Sequence, residues 1–135
     1  MTELYMYIDG ASLGNPGQSG AGIVSYDKNG NEVWRECVHL GTMTNNMAEY
    51  EALVRALRKA REMAVETLLI YTDSELVAKQ VLGSYRVKND RLRNYLHEAL
   101  CLIGEFDSFE IRHIPREKNG LADKLAKRAA AGQPG

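Results

Sequence analysis

The spacing of apolar residues changes once along this chain of 135 residues, and the change limits the folds it can adopt. Residues Leu4–Asp9 alternate between two sets of side chains, which is the two-residue period of a strand. From Thr44 to Ala64 the apolar residues instead recur at helical spacing, with Thr44 or Asn45 as a candidate N-cap. A chain that passes from strand period to helical period belongs to the α/β class.

The remaining segments complete the order β-β-β-α-β-α-α-β-α. Residues Gly10–Ser19 are rich in Gly, Asn and Pro and are predicted to form a loop. An Asn-Gly pair at 29–30 predicts a hairpin. Three antiparallel strands followed by βα units predict a mixed sheet with helices packed on it. The predicted strands are Leu4–Asp9, Gly20–Asp27, Glu32–Leu40, Thr67–Thr72 and Ser108–Ile114, and the predicted helices are Thr44–Ala64, Ser74–Leu82, Asp90–Gly104 and Lys118–Ala131.

The length and composition predict one domain over residues 1–131 with a flexible tail at 132–135. Hydrophobic residues make up 44% and charged residues 26%, close to the average for globular domains. No apolar run approaches the ~18 residues of a membrane span, and Met1–Asp9 lacks the layout of a signal peptide. Cys37 and Cys101 lie far apart, which indicates neither a zinc site nor a disulfide framework. We therefore expect a cytoplasmic protein.

The formal net charge of −1 is the sum of two unlike halves. Residues 1–54 hold seven acids and two bases, whereas residues 55–135 hold eleven acids and fifteen bases. A neutral total argues against a nucleic-acid partner, but here it hides a basic half. Two interpretations remain open, namely separate functions for the two halves or ordinary solvated helix faces.

Four carboxylates stand at positions where acids are uncommon. Asp9 and Asp73 each end a predicted strand, and open α/β sheets bind ligands at such an edge. Glu49 falls on the buried stripe of its helix, four residues before Leu53, and Asp123 lies beside the apolar stripe of the last helix. Taken singly, Asp73 could cap a helix and Asp9 could begin a turn.

The cost of bringing such acids together indicates a bound cation. Two carboxylates about 4 Å apart repel by roughly 4 kcal/mol at an effective dielectric constant near 20. Several such pairs would cancel the stability of a domain, which is about 5–15 kcal/mol. Oxygen ligands without a Cys or His set favour Mg²⁺ or Mn²⁺, and two such ions can catalyse phosphodiester hydrolysis. The spacing alone does not show that the four acids meet.

Several separated motifs resemble those of type 1 ribonucleases H, in the same order and over nearly the whole chain. The motifs are Tyr7-Ile8-Asp9-Gly10-Ala11-Ser12 with Gly14-Asn15-Pro16-Gly17, Thr44-Asn45-Asn46-Met47-Ala48-Glu49, Tyr71-Thr72-Asp73-Ser74, and Asn119-x-x-Ala122-Asp123. The resemblance implies a ribonuclease H-like fold, a five-stranded mixed sheet with helices on both faces. It also implies hydrolysis of the RNA strand of RNA/DNA hybrids, leaving 5′-phosphate and 3′-hydroxyl ends.

The same resemblance assigns roles to individual residues. Asp9, Glu49, Asp73 and Asp123 become the metal-binding quartet for two Mg²⁺ or Mn²⁺ ions. His113 matches a histidine that assists proton transfer, with Arg116 as a rival for that role. The expected substrate contacts are Asn15, Asn45 and Asn46 on the hybrid, and Thr44, Lys88 and Asn89 on a phosphate of the DNA strand.

The chain departs from the family pattern in ways that concern affinity more than chemistry. The Trp- and Lys-rich protrusion of many bacterial members is missing, because residues 83–89 run almost directly between two helices. Glu75 and Thr42 replace a common glutamine and a common arginine. Four cations could partly substitute for the protrusion, namely Arg86, Lys88, Arg91 and Arg93. We expect a monomer; the alternatives are a non-catalytic hybrid- or RNA-binding module and a related nuclease that acts on DNA.

Overall fold

A computed structural model describes residues 2–132, and it contains five strands and four α-helices in that part of the chain. No helix among these residues is both long enough and apolar enough to cross a membrane. Both cysteines are free. The strands are β1 (Glu3–Ser12), β2 (Gly17–Tyr26), β3 (Glu32–Met43), β4 (Thr67–Thr72) and β5 (Ser108–His113), and the helices are α1 (Asn45–Glu62), α2 (Glu75–Val81), α3 (Asp90–Ile103) and α4 (Gly120–Ala130).

The five strands form one sheet in the order β3-β2-β1-β4-β5. The β1–β2 and β2–β3 pairs are antiparallel, and the β1–β4 and β4–β5 pairs are parallel. This topology confirms the predicted mixed sheet. Because β1 and β4 are parallel neighbours at its centre, their carboxyl ends meet at the same edge.

Helices cover both faces of the sheet, as predicted. Helix α1 packs on β1 over the main apolar core, to which β1 contributes Leu4, Met6 and Ile8, each at most 1% exposed. Helix α4 lies against β1, β2 and β3. It comes so close to β2 that a Cβ on Gly22 would lie 2.7 Å from the main-chain nitrogen of Ala126. Only glycine permits this approach, which brings the N-terminal turn of α4 near the end of β1.

The prediction that Gly10–Ser19 forms a loop is wrong for most of that segment. Strand β1 continues to Ser12 and β2 begins at Gly17, with Ser12 opposite Ser19 in the antiparallel ladder. Strand β3 likewise continues past Leu40 to Met43. Glycine-rich composition is typical of loops, but here Gly10 permits the close approach of a helix to a strand, and only residues 13–16 lie outside the strands.

All four predicted helices extend slightly beyond the observed ones. Helix α1 begins after an N-cap at Thr44, whose side chain accepts a hydrogen bond from the N–H of Met47. The last helix begins at Gly120, because residues Arg116–Lys118 form a separate 3₁₀ turn. The proposed tail at 132–135 lies outside the described residues except for Gly132.

Candidate active site

The central strands place two acids side by side at one edge of the sheet. Ile8 of β1 is paired with Thr72 of β4, so Asp9 and Asp73 follow next to each other. Asp9 is 4% exposed, and Asp73 is partly exposed. The prediction that both carboxylates project from the same edge is therefore confirmed, although β1 extends three residues beyond Asp9.

A third acid reaches this edge from the first turns of α1. The main-chain N–H of Gly10 donates a 2.6 Å hydrogen bond to Oε1 of Glu49. A Cβ on Gly10 would overlap the main chain of Ala48 and Glu49, so a larger residue would push α1 away from β1. Gly10 therefore sets the distance at which Glu49 meets Asp9.

Three carboxylates converge at this point. One carboxylate oxygen from each of Asp9, Glu49 and Asp73 lies within 4.8 Å of the others. Asp123 lies close to this group, since its side chain contributes to the raised pKa of Asp9. It also forms a 3.1 Å ion pair with Nζ of Lys127. The structure thus brings together three of the predicted acids, with the fourth at the rim.

The crowding of these acids changes their protonation. Burial, together with smaller effects of the charges of Glu49 and Asp73 and of Asp123, raises the pKa of Asp9 to about 10. Burial also raises the pKa of Glu49 to about 8, although the N–H of Gly10 and the charge of Arg116 oppose the increase. Without a cation, the cluster therefore retains protons at neutral pH.

The donor set fits a hard divalent cation. All the converging ligand atoms are carboxylate oxygens, which Mg²⁺ and Mn²⁺ prefer. A bound cation would also favour the charged forms of Asp9 and Glu49, which burial and the neighbouring acids disfavour. Since Asp9 is held on a central strand and Glu49 on a buried helix, the ligands are arranged before any ion arrives.

Two of the predicted substrate residues form a connected surface next to these acids. Oδ1 of Asn45 accepts a 3.2 Å hydrogen bond from the N–H of Ser12, and Oδ1 of Asn15 accepts one of 3.0 Å from the N–H of Asn45. Each carbonyl oxygen is thus occupied by the main chain. The amide NH₂ groups are the remaining polar ends of both side chains, and these groups donate hydrogen bonds.

The other predicted substrate residues lie at helix starts. Thr44 caps α1, and Asn89 caps α3 by accepting hydrogen bonds from the N–H groups of Arg91 and Leu92. Asn46 and Lys88 are exposed. The prediction that Thr44 caps α1 is confirmed. The capping role of Asn89 was not predicted, and it leaves the NH₂ group of that side chain available to a ligand.

The two candidates for proton transfer occupy different surroundings. His113 ends β5 opposite Thr72 and is exposed. The pKa of Glu75 is lowered chiefly by its hydrogen bond with Lys79 and to a lesser extent by the charge of His113. Arg116, by contrast, acts on Glu49. His113 therefore lies near the start of α2, and Arg116 lies within electrostatic reach of the acid cluster.

Asn119 received no role from the sequence beyond its place in a motif. In the structure it is 1% exposed and donates a hydrogen bond of 3.2 Å to Oδ2 of Asp73. The only sequence signal was a polar residue four positions before Asp123, at the start of the last helix. That signal did not indicate contact with a strand.

Comparison with known proteins gives consistent results. Residues 7–129 match a family model described as reverse transcriptase-like. The Ribonuclease HI sequence of Halobacterium salinarum is 38% identical over 127 residues, which are 94% of this chain and 64% of that protein. This chain also matches the bifunctional protein Rv2228c of Mycobacterium tuberculosis at 34% identity, over 90% of this chain and 34% of that protein. It thus spans less than two thirds of these relatives.

Solved structures match over nearly their whole length. RNase H1 of Halobacterium salinarum superposes with a TM-score of 0.93 at 37% identity, covering 96% of this chain and 98% of that one. The N-terminal RNase H domain of Rv2228c superposes with a TM-score of 0.92 at 31% identity, covering 96% of this chain and 99% of that one. LC11-RNase H1 in complex with an RNA/DNA hybrid superposes with a TM-score of 0.90 at 35% identity, covering 96% of this chain and 97% of that one.

Proposed function

Because the chain belongs to the ribonuclease H family, we propose that it hydrolyses the RNA strand of RNA/DNA hybrids. The products would carry 5′-phosphate and 3′-hydroxyl ends. The observation that carries the proposal is the convergence of Asp9, Glu49 and Asp73 within 4.8 Å at an edge where parallel strands end. Binding of a hybrid by the structurally similar LC11-RNase H1 supports the choice of substrate.

The family is metal-dependent, and the acids of this chain would hold the metal. We propose that Asp9, Glu49, Asp73 and Asp123 bind two Mg²⁺ or Mn²⁺ ions. Such ions would supply an activated water and stabilise the leaving oxygen of the phosphodiester. Asp9 and Glu49 must release their protons before they bind a cation, so cation binding is coupled to proton release.

The asparagine side chains fit the recognition of an acceptor-rich ligand. Asn15, Asn45 and Asn89 all use their carbonyl oxygen on a main-chain N–H and keep NH₂ donors for a partner. Phosphate oxygens, 2′-hydroxyls and base edges accept such bonds. Neutral donors also avoid adding charge to the acid cluster. We propose that these residues, together with Asn46, Thr44 and Lys88, bind the hybrid.

Exchanging the donor of Asn45 for an acceptor tests this contact. Asn45→Asp keeps the oxygen that accepts from Ser12 but replaces the NH₂ group with a charged oxygen. We expect KM for the hybrid to rise by about 10-fold or more, the equivalent of about 1.4 kcal/mol. Steady-state kinetics would measure it. The matched control is Asn29→Asp in the β2–β3 turn, at the opposite end of the sheet, and equal effects of the two changes would contradict the contact.

Proton transfer is assigned to His113, with Arg116 as the alternative. If His113 carries the proton, His113→Ala is expected to lower kcat by about 10²-fold and to alter its pH profile near neutrality. If Arg116 has this role instead, Arg116→Ala should cause the larger loss of kcat, and His113→Ala should leave the pH profile near neutrality unchanged. Measuring kcat from pH 5 to pH 9 separates them. Undiminished turnover of His113→Ala at every pH would remove His113 from the mechanism.

Further properties belong to the same proposal. Residues 1–131 would form one catalytic domain, since β1 to α4 share one sheet. We propose that the domain acts as a cytoplasmic monomer. The affinity for the hybrid would be lower than in members with a basic protrusion. Here residues 82–89 connect α2 directly to α3 and leave no room for such a protrusion.

A substrate panel separates this function from the alternatives. Labelled RNA/DNA hybrid, duplex RNA, single strands and duplex DNA are each incubated with Mg²⁺, Mn²⁺ or EDTA. We expect metal-dependent cleavage of the RNA in the hybrid. Binding of the hybrid without cleavage would indicate a non-catalytic module, and cleavage of duplex DNA would indicate a DNA nuclease.

A further inference from the structure

Asn119 makes three contacts that join separate parts of the active site. Its Nδ2 donates one hydrogen bond of 2.8 Å to the main-chain oxygen of Ile8 and another of 3.2 Å to Oδ2 of Asp73. Its main-chain oxygen accepts a 3.0 Å hydrogen bond from the N–H of Asp123. The side chain therefore bridges β1 and β4, and the main chain holds the first turn of α4.

The partner in each of these contacts is an acid of the cluster or the residue next to one. Ile8 is the residue before Asp9, and Asp73 and Asp123 are contacted directly. Asp9 and Asp73 follow paired residues on neighbouring strands and have carboxylate oxygens within 4.8 Å of each other. A buried donor that is fixed to the main chain of one strand and to the carboxylate of the next opposes their separation.

Stability alone does not explain this side chain. Asn119 is 1% exposed, and among the described residues its Oδ1 has no hydrogen-bond partner. Although Asn119 is the N-cap residue of α4, its side chain makes no capping hydrogen bond. A buried oxygen without a partner costs free energy, which a leucine of similar shape would avoid. Leucine would, however, lack the Nδ2 donor to Asp73.

We propose that Asn119 is a positioning residue, which holds Asp73 at the distance from Asp9 that a divalent cation requires. This inference rests on the proposed function but adds a residue to its machinery. Asn119 acts through Asp73, so its loss should weaken cation binding rather than hybrid binding. Partners that orient metal ligands typically change metal affinity by about 10- to 100-fold.

Calorimetric titration of the substrate-free protein with Mn²⁺ tests the role directly. We expect Asn119→Leu to weaken Mn²⁺ binding by about 10- to 100-fold and to lower kcat, with KM for the hybrid within about twofold of wild type. The matched control is Ser25→Ala, which removes the other buried oxygen that lacks a partner in the described chain, on β2. Ser25→Ala should leave Mn²⁺ binding unchanged.

Asn119→Ala and thermal unfolding in EDTA separate positioning from a structural role. Weakened Mn²⁺ binding in both Asn119 variants, with unfolding midpoints within about 5 °C of wild type, supports the proposal. Wild-type affinity in either folded variant overturns it, as does loss of the folded state in both. If the wild-type protein itself binds no Mn²⁺, the proposed function fails as well, so the two failures are distinguishable.

Discussion

Asp9→Asn is expected to reduce hydrolysis of the RNA strand by at least about 10³-fold, the equivalent of about 4 kcal/mol. Asp9 is the most buried acid of the cluster and stands between Glu49, Asp73 and Asp123. Asparagine keeps its size but removes the charge that would bind a cation. Single-turnover cleavage of a labelled hybrid measures the loss, and Glu49→Gln should act similarly.

The loss of activity should be accompanied by a gain in stability. Without metal, Asp9 must take up a proton when the protein folds at pH 8, because burial and the neighbouring acids raise its pKa to about 10 in the folded state, and this uptake opposes folding. Asp9→Asn should therefore unfold at a higher temperature than wild type in EDTA at pH 8. Asp107→Asn, at an exposed acid away from the cluster, is the control and should leave activity and stability unchanged. Full activity in Asp9→Asn would remove Asp9 from the mechanism.

The free energy of unfolding of the metal-free protein is expected to fall by about 4 kcal/mol or more between pH 5 and pH 8, at roughly 1.4 kcal/mol per pH unit for each proton bound only in the folded state. Burial raises the pKa of Asp9 to about 10 and that of Glu49 to about 8 in the folded state. The unfolded chain releases these protons at ordinary carboxyl pKa values, near 4. The folded state therefore binds more protons across this range, so its stability decreases as pH rises. Denaturant unfolding in EDTA at each pH measures the change.

Two controls connect this pH dependence to the acid cluster. In Asp9→Asn the decrease should become smaller, because the group with the most elevated pKa has been removed. Saturating Mg²⁺ should stabilise the wild-type protein most at alkaline pH, where no protons compete for the carboxylates. A metal-free stability that increases from pH 5 to pH 8 would contradict the protonated cluster.

The sequence allowed the elements of the sheet to be predicted, because each carried a clear apolar period. The two-residue period of β1 and the helical period of α1 placed Asp9 and Glu49 on elements that the structure confirms. The parallel pairing of β1 with β4 explains why Asp73 joins Asp9. The prediction that the four acids meet came from the family resemblance, since spacing along a chain does not fix the distances between its strands and helices.

The features that could not be predicted depend on contacts between distant residues. Gly10 is predicted to lie in a loop, yet it lies in a strand, where glycine is required because the main chain of α1 passes where a Cβ would be. Asn119 contacts the main chain of Ile8, 111 residues earlier. Arg116 lies in the 3₁₀ turn after β5, and its effect on the pKa of Glu49 likewise depends on how this turn meets α1.

The charge division acquires a physical meaning in the structure. The net charge of −1 includes four acids assigned to cation binding, and two bound divalent ions would add four positive charges at the site. Lys88 and Arg91 belong to the basic half and lie at the start of α3, beside the cap residue Asn89. A near-neutral total is therefore compatible with a nucleic-acid substrate.

The most direct measurement uses a hybrid in which one strand contains a short internal block of ribonucleotides between deoxyribonucleotides. With Mg²⁺, the wild-type protein should cut that strand only within the ribonucleotide block and leave 5′-phosphate and 3′-hydroxyl ends. EDTA and Asp9→Asn should each abolish the cut. Cleavage between deoxyribonucleotides, or cleavage that survives EDTA, would contradict metal-dependent hydrolysis of RNA in hybrids.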